Sequence, residues 1–314
     1  MKCLIAGGAG FIGSHITARF VQAGYEVTVI DGLLSRTGGR RENLAGLLSD
    51  IRFLDVPVEQ APNLAGLVAE NDLLVDCMGW TCHRLALQDP LYDMQLNIGS
   101  HLALINAIAR GSGKKVISLG SRAQYGNPRV ERITEETPSN PQDIQGSHKQ
   151  AAESNWQVFS RIKGLAVISL RFGNCFGPRQ PVGGEDIGLI GTFIRDLLQG
   201  REIELFGTGR RRPVIYAGDV AEAVYLCARS SFQGFQMFNL AGADVVLEEL
   251  LGRLIREIGQ GAYKLRESPP EVKSIDVGNA TFSGDRLEKF LGRVPRTSLE
   301  VDIKKTVAYF RKAL

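Results

Sequence analysis

Residues 7–13 read Gly-Gly-Ala-Gly-Phe-Ile-Gly, directly after an apolar run and directly before a helical pattern. The glycines have separate jobs in such a loop. Gly7 makes a tight turn, Gly10 lets backbone N–H groups approach a pyrophosphate, and Gly13 permits close helix–strand packing. Phe11 and Ile12 open the helix over the same phosphates. The second apolar run ends at Asp31, 18 residues beyond Gly13. A carboxylate there accepts hydrogen bonds from adenosine ribose hydroxyls and repels a 2′-phosphate. NAD is thereby favoured over NADP, although Arg36, Arg40 and Arg41 just beyond soften the preference.

The rest of the chain repeats that strand–helix rhythm. Cys3–Ala6, Val27–Ile30, Ile51–Leu54, Leu73–Met78, Val116–Leu119 and Val167–Leu170 read as strands. They are apolar almost throughout, as parallel strands covered on both faces are. Ile12, Ile16 and Phe20 mark one helix stopped near Gly24, and Leu96–Ala109 and Lys149–Ile162 are longer helix candidates. The expected fold class is α/β, a doubly wound parallel sheet with a smaller, mostly C-terminal α/β substrate domain.

Past Arg171 the rhythm changes. Residues 173–191 should be loop-rich, followed by a helix at Ile190–Leu198, a strand at Glu202–Phe206 and a helix at Asp219–Ala228. A strand at Gln236–Leu240 and helices at Leu247–Ile258 and Leu299–Leu314 complete the pattern. The expected boundaries are 1–171 for the dinucleotide unit, with 212–231 returning to it. Residues 172–211 and 232–298 form the substrate unit, and 299–314 a C-terminal helix.

Composition narrows the function classes. A net charge of +3 over 314 residues is too mild to argue for nucleic acid or an anionic membrane. Five scattered cysteines without a CxxC pair argue against a metal site and fit a reducing cytoplasm. No run of about 18 apolar residues exists to span a membrane.

With these motifs in place, the chain resembles the extended short-chain dehydrogenase/reductase family, in its nucleotide-sugar epimerase/dehydratase branch. The likeness covers nearly the whole chain. Residues 8–13 are similar to the branch's cofactor signature, 120–126 to its catalytic-serine segment, and 134–138 to the acidic turn after it. Residues 170–179 resemble the passage into the substrate domain, 212–221 the stretch with a pyrophosphate-binding arginine, and 291–299 the C-terminal signature. The resemblance implies a Rossmann dinucleotide domain, NAD as cofactor and a nucleotide-diphosphate sugar as ligand. Asp55 and Val56 are candidate adenine contacts, and Met78, Gly79, Asn97 and Gly173 candidate lining residues. Ordinary strand-end and packing roles stand beside each.

The family's chemistry uses a Ser/Tyr/Lys trio, of which Ser121 and Lys149 are present. The tyrosine lies four residues before the lysine, and Gln145 stands at that place here. An amide only hydrogen-bonds near neutral pH. Several readings stay open. His83, first among the substitutes, or Tyr125, Cys82 or His148 supplies the acid/base group. Otherwise Lys149 acts as base, the substrate is already a keto-sugar, or the protein binds NAD and a nucleotide sugar without turnover. Arg122 and Ala123 occupy the places of the acidic pair of 4,6-dehydratases. The resemblance therefore implies a 4-epimerase-like enzyme, oxidising and re-reducing through a keto-sugar. The alternatives are a non-catalytic binding protein and a dehydratase or reductase acting on a keto-sugar.

On the substrate side the resemblance assigns Asn174 to sugar or phosphate, Arg212 to the pyrophosphate, and Lys273 with Asp276 to phosphate and ribose. It also implies a homodimer, through Ile98, Leu102, Ile105 and Ala109 on one helix and Ala152, Trp156 and Phe159 on the next. The alternative is a monomer in which both stripes are buried.

Overall fold

The structure, a computed structural model, describes residues 1–183, 188–268 and 278–313. The first half supplies β1 (Lys2–Ala6), β2 (Glu26–Asp31), β3 (Ile51–Asp55), β4 (Leu73–Asp76), β5 (Lys115–Leu119) and a short β6 (Arg132–Ile133). Next come β7 (Ala166–Phe172), β8 (Asn174–Phe176), β9 (Ile203–Phe206) and β10 (Arg211–Tyr216). Last are β11 (Phe235–Leu240), β12 (Ala243–Val246), β13 (Tyr263–Arg266) and β14 (Thr281–Phe282). The main sheet runs β3-β2-β1-β4-β5-β7-β11, with every pair parallel. The order reverses between β1 and β4, and that switch point opens a crevice at the strand ends.

Alternation along β1 shows why its sequence is apolar throughout. Cys3 and Ile5 join Ile16, Phe20 and Val224 on one face of the sheet. Leu4 and Ala6 join Leu104, Ile105 and Trp156 on the other. The first layer comes from α1 (Phe11–Gln22), and the opposite layer from α5 (Ser100–Ala107) and α6 (Ile144–Lys163). Between α1 and α5 lie α2 (Leu64–Glu70), α3 (His83–Gln88) and α4 (Pro90–Met94). After α6 come α7 (Leu189–Leu198), α8 (Ala217–Arg229) and α9 (Leu247–Ile258). A separate core unites Ile190, Ile194 and Leu197 of α7, Leu250 and Leu254 of α9, and Val307 and Phe310 of the C-terminal helix Leu299–Ala313.

Three expectations change. The strand Phe235–Leu240, given to the substrate unit, pairs with β7 at the edge of the main sheet. Helix Asp285–Leu291 places Leu287 in the main-sheet core too, so the chain returns to that unit more than once. The helix expected over Leu96–Ala109 carries a π turn at Gln95–Gly99 and ends at Ala107. Ile105, Ala152 and Trp156 are 0%, 4% and 0% exposed within this single chain. Those three side chains fill its own core, whereas Ile98, Leu102 and Phe159 are partly exposed and Ala109 is exposed. Among the described residues no helix is long and apolar enough to cross a membrane, and no group of three metal-ligating side chains occurs.

Candidate active site

The crevice begins at the glycine loop. Gly7 has φ +79°, and a Cβ on Gly13 would sit 2.1 Å from the Gly7 carbonyl oxygen. The turn therefore closes on itself only where side chains are absent. Gly10 caps α1 with no side-chain partner, and the first turn carries no acidic residue. The N–H groups of Phe11, Ile12 and Gly13 are thus available to an anion. Asp31 accepts N–H bonds from Ala9 (2.9 Å) and Leu33 (3.0 Å), so the same carboxylate that would meet a ribose also pins the loop. Its burial pushes the carboxyl pKa up. Asp55 is exposed with Arg41 at 3.9 Å, and the Val56 N–H is used by the Asp31 carbonyl. These features fit NAD: uncapped amides for the pyrophosphate and a carboxylate for the ribose. Asp31→Ala removes the carboxylate and both of its loop bonds. NAD affinity should fall by at least about tenfold, at 1.4 kcal/mol per decade. The NAD/NADP ratio should narrow, as parallel titrations with the two dinucleotides would show.

The far end of the crevice is built around α6. Lys149 Nζ donates to the Met78 carbonyl at 2.9 Å. A Cβ on Gly79 would lie 2.3 Å from that Nζ and 2.9 Å from Asn97 Oδ1, so only glycine leaves the lysine its place. Asn97 is fully used, accepting from the Trp80 N–H and donating to the Trp80 carbonyl. That double clamp sits inside the π turn, a distortion frequent at functional sites. Beneath it, buried Asp76 accepts the Met78 N–H (3.2 Å) and the Trp156 indole N–H (3.0 Å), and pairs with His101 Nδ1 at 2.5 Å. Burial lowers the Lys149 pKa, opposed by the charge of Asp76. β4 stops at Asp76, two residues short of the expected end, because the backbone leaves the ladder to present the Met78 carbonyl.

Ser121 caps the short 3₁₀ turn Arg122–Tyr125, accepting from the Ala123 N–H while Gln124 reaches back to its own N–H. Its hydroxyl proton stays available for donation. Gly146 packs on the Ala123 carbonyl, and Gln124 donates to Gln150 at 3.1 Å, which locks this turn to the start of α6. Gln145 and Lys149 stand one helical turn apart beside it. Gln145 is 2% exposed, and its Oε1 has no hydrogen-bond partner among the described residues. His83, exposed at the start of α3, places Nδ1 2.6 Å from Oδ2 of Asp143, the N-cap of α6. Burial alone would raise the Asp143 pKa, but the bond to His83 and its charge hold it below the usual value. This His83–Asp143 pair is the main feature that sequence reasoning missed. Asp143 signals itself only as a helix cap before Ile144.

Tyr125 is corrected. It is 0% exposed, packs with Ile133 and Phe282, and donates its hydroxyl to Asn239 at 2.8 Å. Burial raises its pKa, the opposite of what a phenolate base requires. His148 is held by buried Asp93 at 2.6 Å. Gly173 is needed for close approach to Pro213, whose oxygen would lie 2.5 Å from an added Cβ. Asn174 donates to the Pro213 carbonyl at 3.4 Å, and buried Arg212 donates to the Gly278 carbonyl at 3.1 Å. Lys273 and Asp276 lie outside the described residues.

A parallel sheet with this switch point and glycine loop defines a dinucleotide-binding class. Residues 3–241 match the model of the NAD dependent epimerase/dehydratase family, and the chain belongs to that family. NAD is its cofactor. The chain is 28% identical to the UDP-glucose 4-epimerase of Mycolicibacterium smegmatis, with 99% of each covered. It is 24% identical to the UDP-N-acetyl-alpha-D-glucosaminuronate decarboxylase of Bacillus cytotoxicus, covering 99% of this chain and 98% of that one. Among solved structures, the Thermus thermophilus UDP-glucose 4-epimerase in complex with NAD superposes with a TM-score of 0.86 at 30% identity, over 100% of both chains.

Proposed function

We propose that the protein is an NAD-dependent epimerase of the 4-epimerase type, acting on a nucleoside diphosphate sugar through a keto-sugar. Gln145 stands in the place of the family tyrosine. The observation that carries this reading is the His83–Asp143 pair, which joins the start of α3 to the N-cap of the Lys149 helix. The UDP-sugar epimerases among the relatives support the substrate class. Asn174, Arg212, Lys273 and Asp276 are assigned to the substrate.

When bound, NAD accepts a hydride from the sugar carbon and later returns it. Lys149 holds a positive charge at the Met78 carbonyl and would hold the ribose of a bound dinucleotide. Ser121 donates its hydroxyl proton to the sugar oxygen, and Gln145 Oε1 accepts a sugar hydroxyl. His83 takes the hydroxyl proton on Nε2 while Asp143 holds Nδ1–H and stabilises the imidazolium. The C=O bond of the keto-sugar forms as that proton leaves, and the keto-sugar turns. His83 returns its proton to the oxygen when the alcohol re-forms.

Gln145 also favours a second reading, a protein that binds NAD and a nucleotide sugar without turnover. Incubation with NAD and a panel of UDP-sugars separates the two. Interconversion of a C4-epimer pair is expected. Tight binding of both ligands with no product would establish the second reading instead. Turnover should also fall on the alkaline side at a pH below 10.5, the ordinary lysine value, because a lowered pKa means an earlier loss of charge. Lys149→Arg should move that fall upward, since guanidinium stays protonated. A pH–rate profile that is flat up to 10.5 would remove Lys149 from this role.

A further inference from the structure

Behind the glycine loop, whose Ala9 carbonyl accepts from the Arg40 N–H and the Asn43 amide, the segment after β8, α7 and the C-terminal helix line a half-open cavity of about 520 Å³. Its volume suits a small ligand, since such sites run about 300–1,000 Å³. Four arginines line it, Arg40, Arg179, Arg195 and Arg201, and no acidic side chain is among its described lining residues. Asp196 lies behind and serves two of them, at 2.8 Å from Arg195 and 3.3 Å from Arg201. Arg40 and Arg179 have no carboxylate partner among the described residues. Arg179 donates to the Asn43 carbonyl, at 3.1 Å.

The Arg179 backbone is itself unusual. It stands at φ +67°, a left-handed conformation that bulky residues rarely adopt. The residue before it is held in place, with the Pro178 carbonyl bonded to His15 at 2.8 Å. Strain maintained in this way is common where a side chain clamps a ligand. Tyr309 completes the wall. It is 38% exposed, and buried Phe310 backs it edge-on, so a ring face is open to a planar group. None of the glycine-loop residues, Asp31, Lys149 or Arg212 lines this space.

We infer that this four-arginine cavity, which backs onto the glycine loop, binds a diphosphate-bearing small molecule in addition to the dinucleotide. Paired guanidiniums match phosphate oxygens, and among the described residues Asp196 is the carboxylate that these arginines engage. The shared chemistry is the diphosphate, free or carried on a nucleoside.

Calorimetric titration of protein saturated with NAD and UDP tests this, with inorganic pyrophosphate and ADP as the probes. One saturable site per chain is expected, weakening as salt is raised. The double variant Arg195→Ala/Arg201→Ala should weaken pyrophosphate binding at least tenfold and leave NAD affinity unchanged. Arg201→Ala alone, at a largely exposed position, should weaken it in the same direction and guards against misfolding of the double variant. If ADP binds tighter than pyrophosphate and Tyr309→Ala removes the difference, the ligand is a nucleoside diphosphate. Equal affinity identifies the diphosphate alone as the recognised group. Absence of saturable binding, binding that neither arginine variant weakens, or binding seen only when NAD and UDP are omitted would overturn the proposal.

Discussion

Gly13→Ala should lose NAD binding by at least about a hundredfold, because two phosphate-facing amides go out of line at about 1.5–3 kcal/mol each. The added Cβ would lie 2.1 Å from the Gly7 oxygen and 2.9 Å from the Gly8 Cα. Both are backbone atoms, so no rotamer relieves the clash and the whole turn must open. Overpacking of this kind costs about 1–3 kcal/mol and occasionally more, and Gly13 belongs at the upper end. Two other glycines calibrate the effect. At Gly10 the nearest atom to a Cβ is the same oxygen at 3.2 Å, which a small shift accommodates. At Gly24 nothing lies within 4 Å, and only the φ of +78° resists a side chain. Gly24→Ala should therefore cost about 1–2 kcal/mol and leave NAD affinity intact. Denaturant midpoints and dinucleotide titrations of the three variants should rank 13 worst for both properties. Equal behaviour of Gly13→Ala and Gly24→Ala would show that the turn is softer than its geometry implies.

The same turn explains why so much of the dinucleotide half is legible in the sequence. β1 through β5 are local apolar runs that meet helices on both faces, and their pattern depends on no distant partner. The helix Leu247–Ile258 is equally plain, since Leu247, Leu250, Leu251, Leu254 and Ile258 are its buried residues. Elements that failed to show are those whose stability is non-local. β10 opens Arg211-Arg212-Pro213, and a proline argues against a strand interior. It forms because β8 and β12 flank it on either side. β13 and the two-residue pair β6 with β14 likewise exist only through partners far along the chain.

At the site the division is similar. Glycine spacing and the Asp31 position are local, so the cofactor end is readable. The environment of a side chain is not. Nothing near Tyr125 in sequence reveals that Asn239, 114 residues away, takes its hydroxyl. Nothing near Asp76 reveals that His101 and Trp156 converge on one of its oxygens behind Lys149. Such buried carboxylates matter because leaving one unpaired in a low-dielectric interior is costly. Their partners fix where the Met78 carbonyl, and with it Lys149, can sit.

His83→Asn should lower turnover by about 10²–10⁴-fold, the usual span for removing a general acid/base group. The loss should fall on kcat, with KM for the sugar little changed, because the imidazole is needed only when the proton moves. A folding defect is not expected, since His83 is an exposed residue. Asp143→Asn should do less harm. Its Oδ1 accepts the Gly146 N–H at 2.7 Å, and an amide oxygen keeps that helix cap while losing the charge that steadies the imidazolium. The stringent test adds Gln145→Tyr to the His83→Asn protein. A phenol at 145 lies one turn from the Lys149 ammonium, which lowers a tyrosine pKa. Part of the lost turnover should return, with a pH–rate profile governed by the new phenol rather than by an imidazole. If His83→Asn alone keeps turnover within a few-fold, the proton is handled elsewhere, and Lys149 becomes the group to test. If it is inactive and Gln145→Tyr restores nothing, the crevice needs more than a proton acceptor at either position.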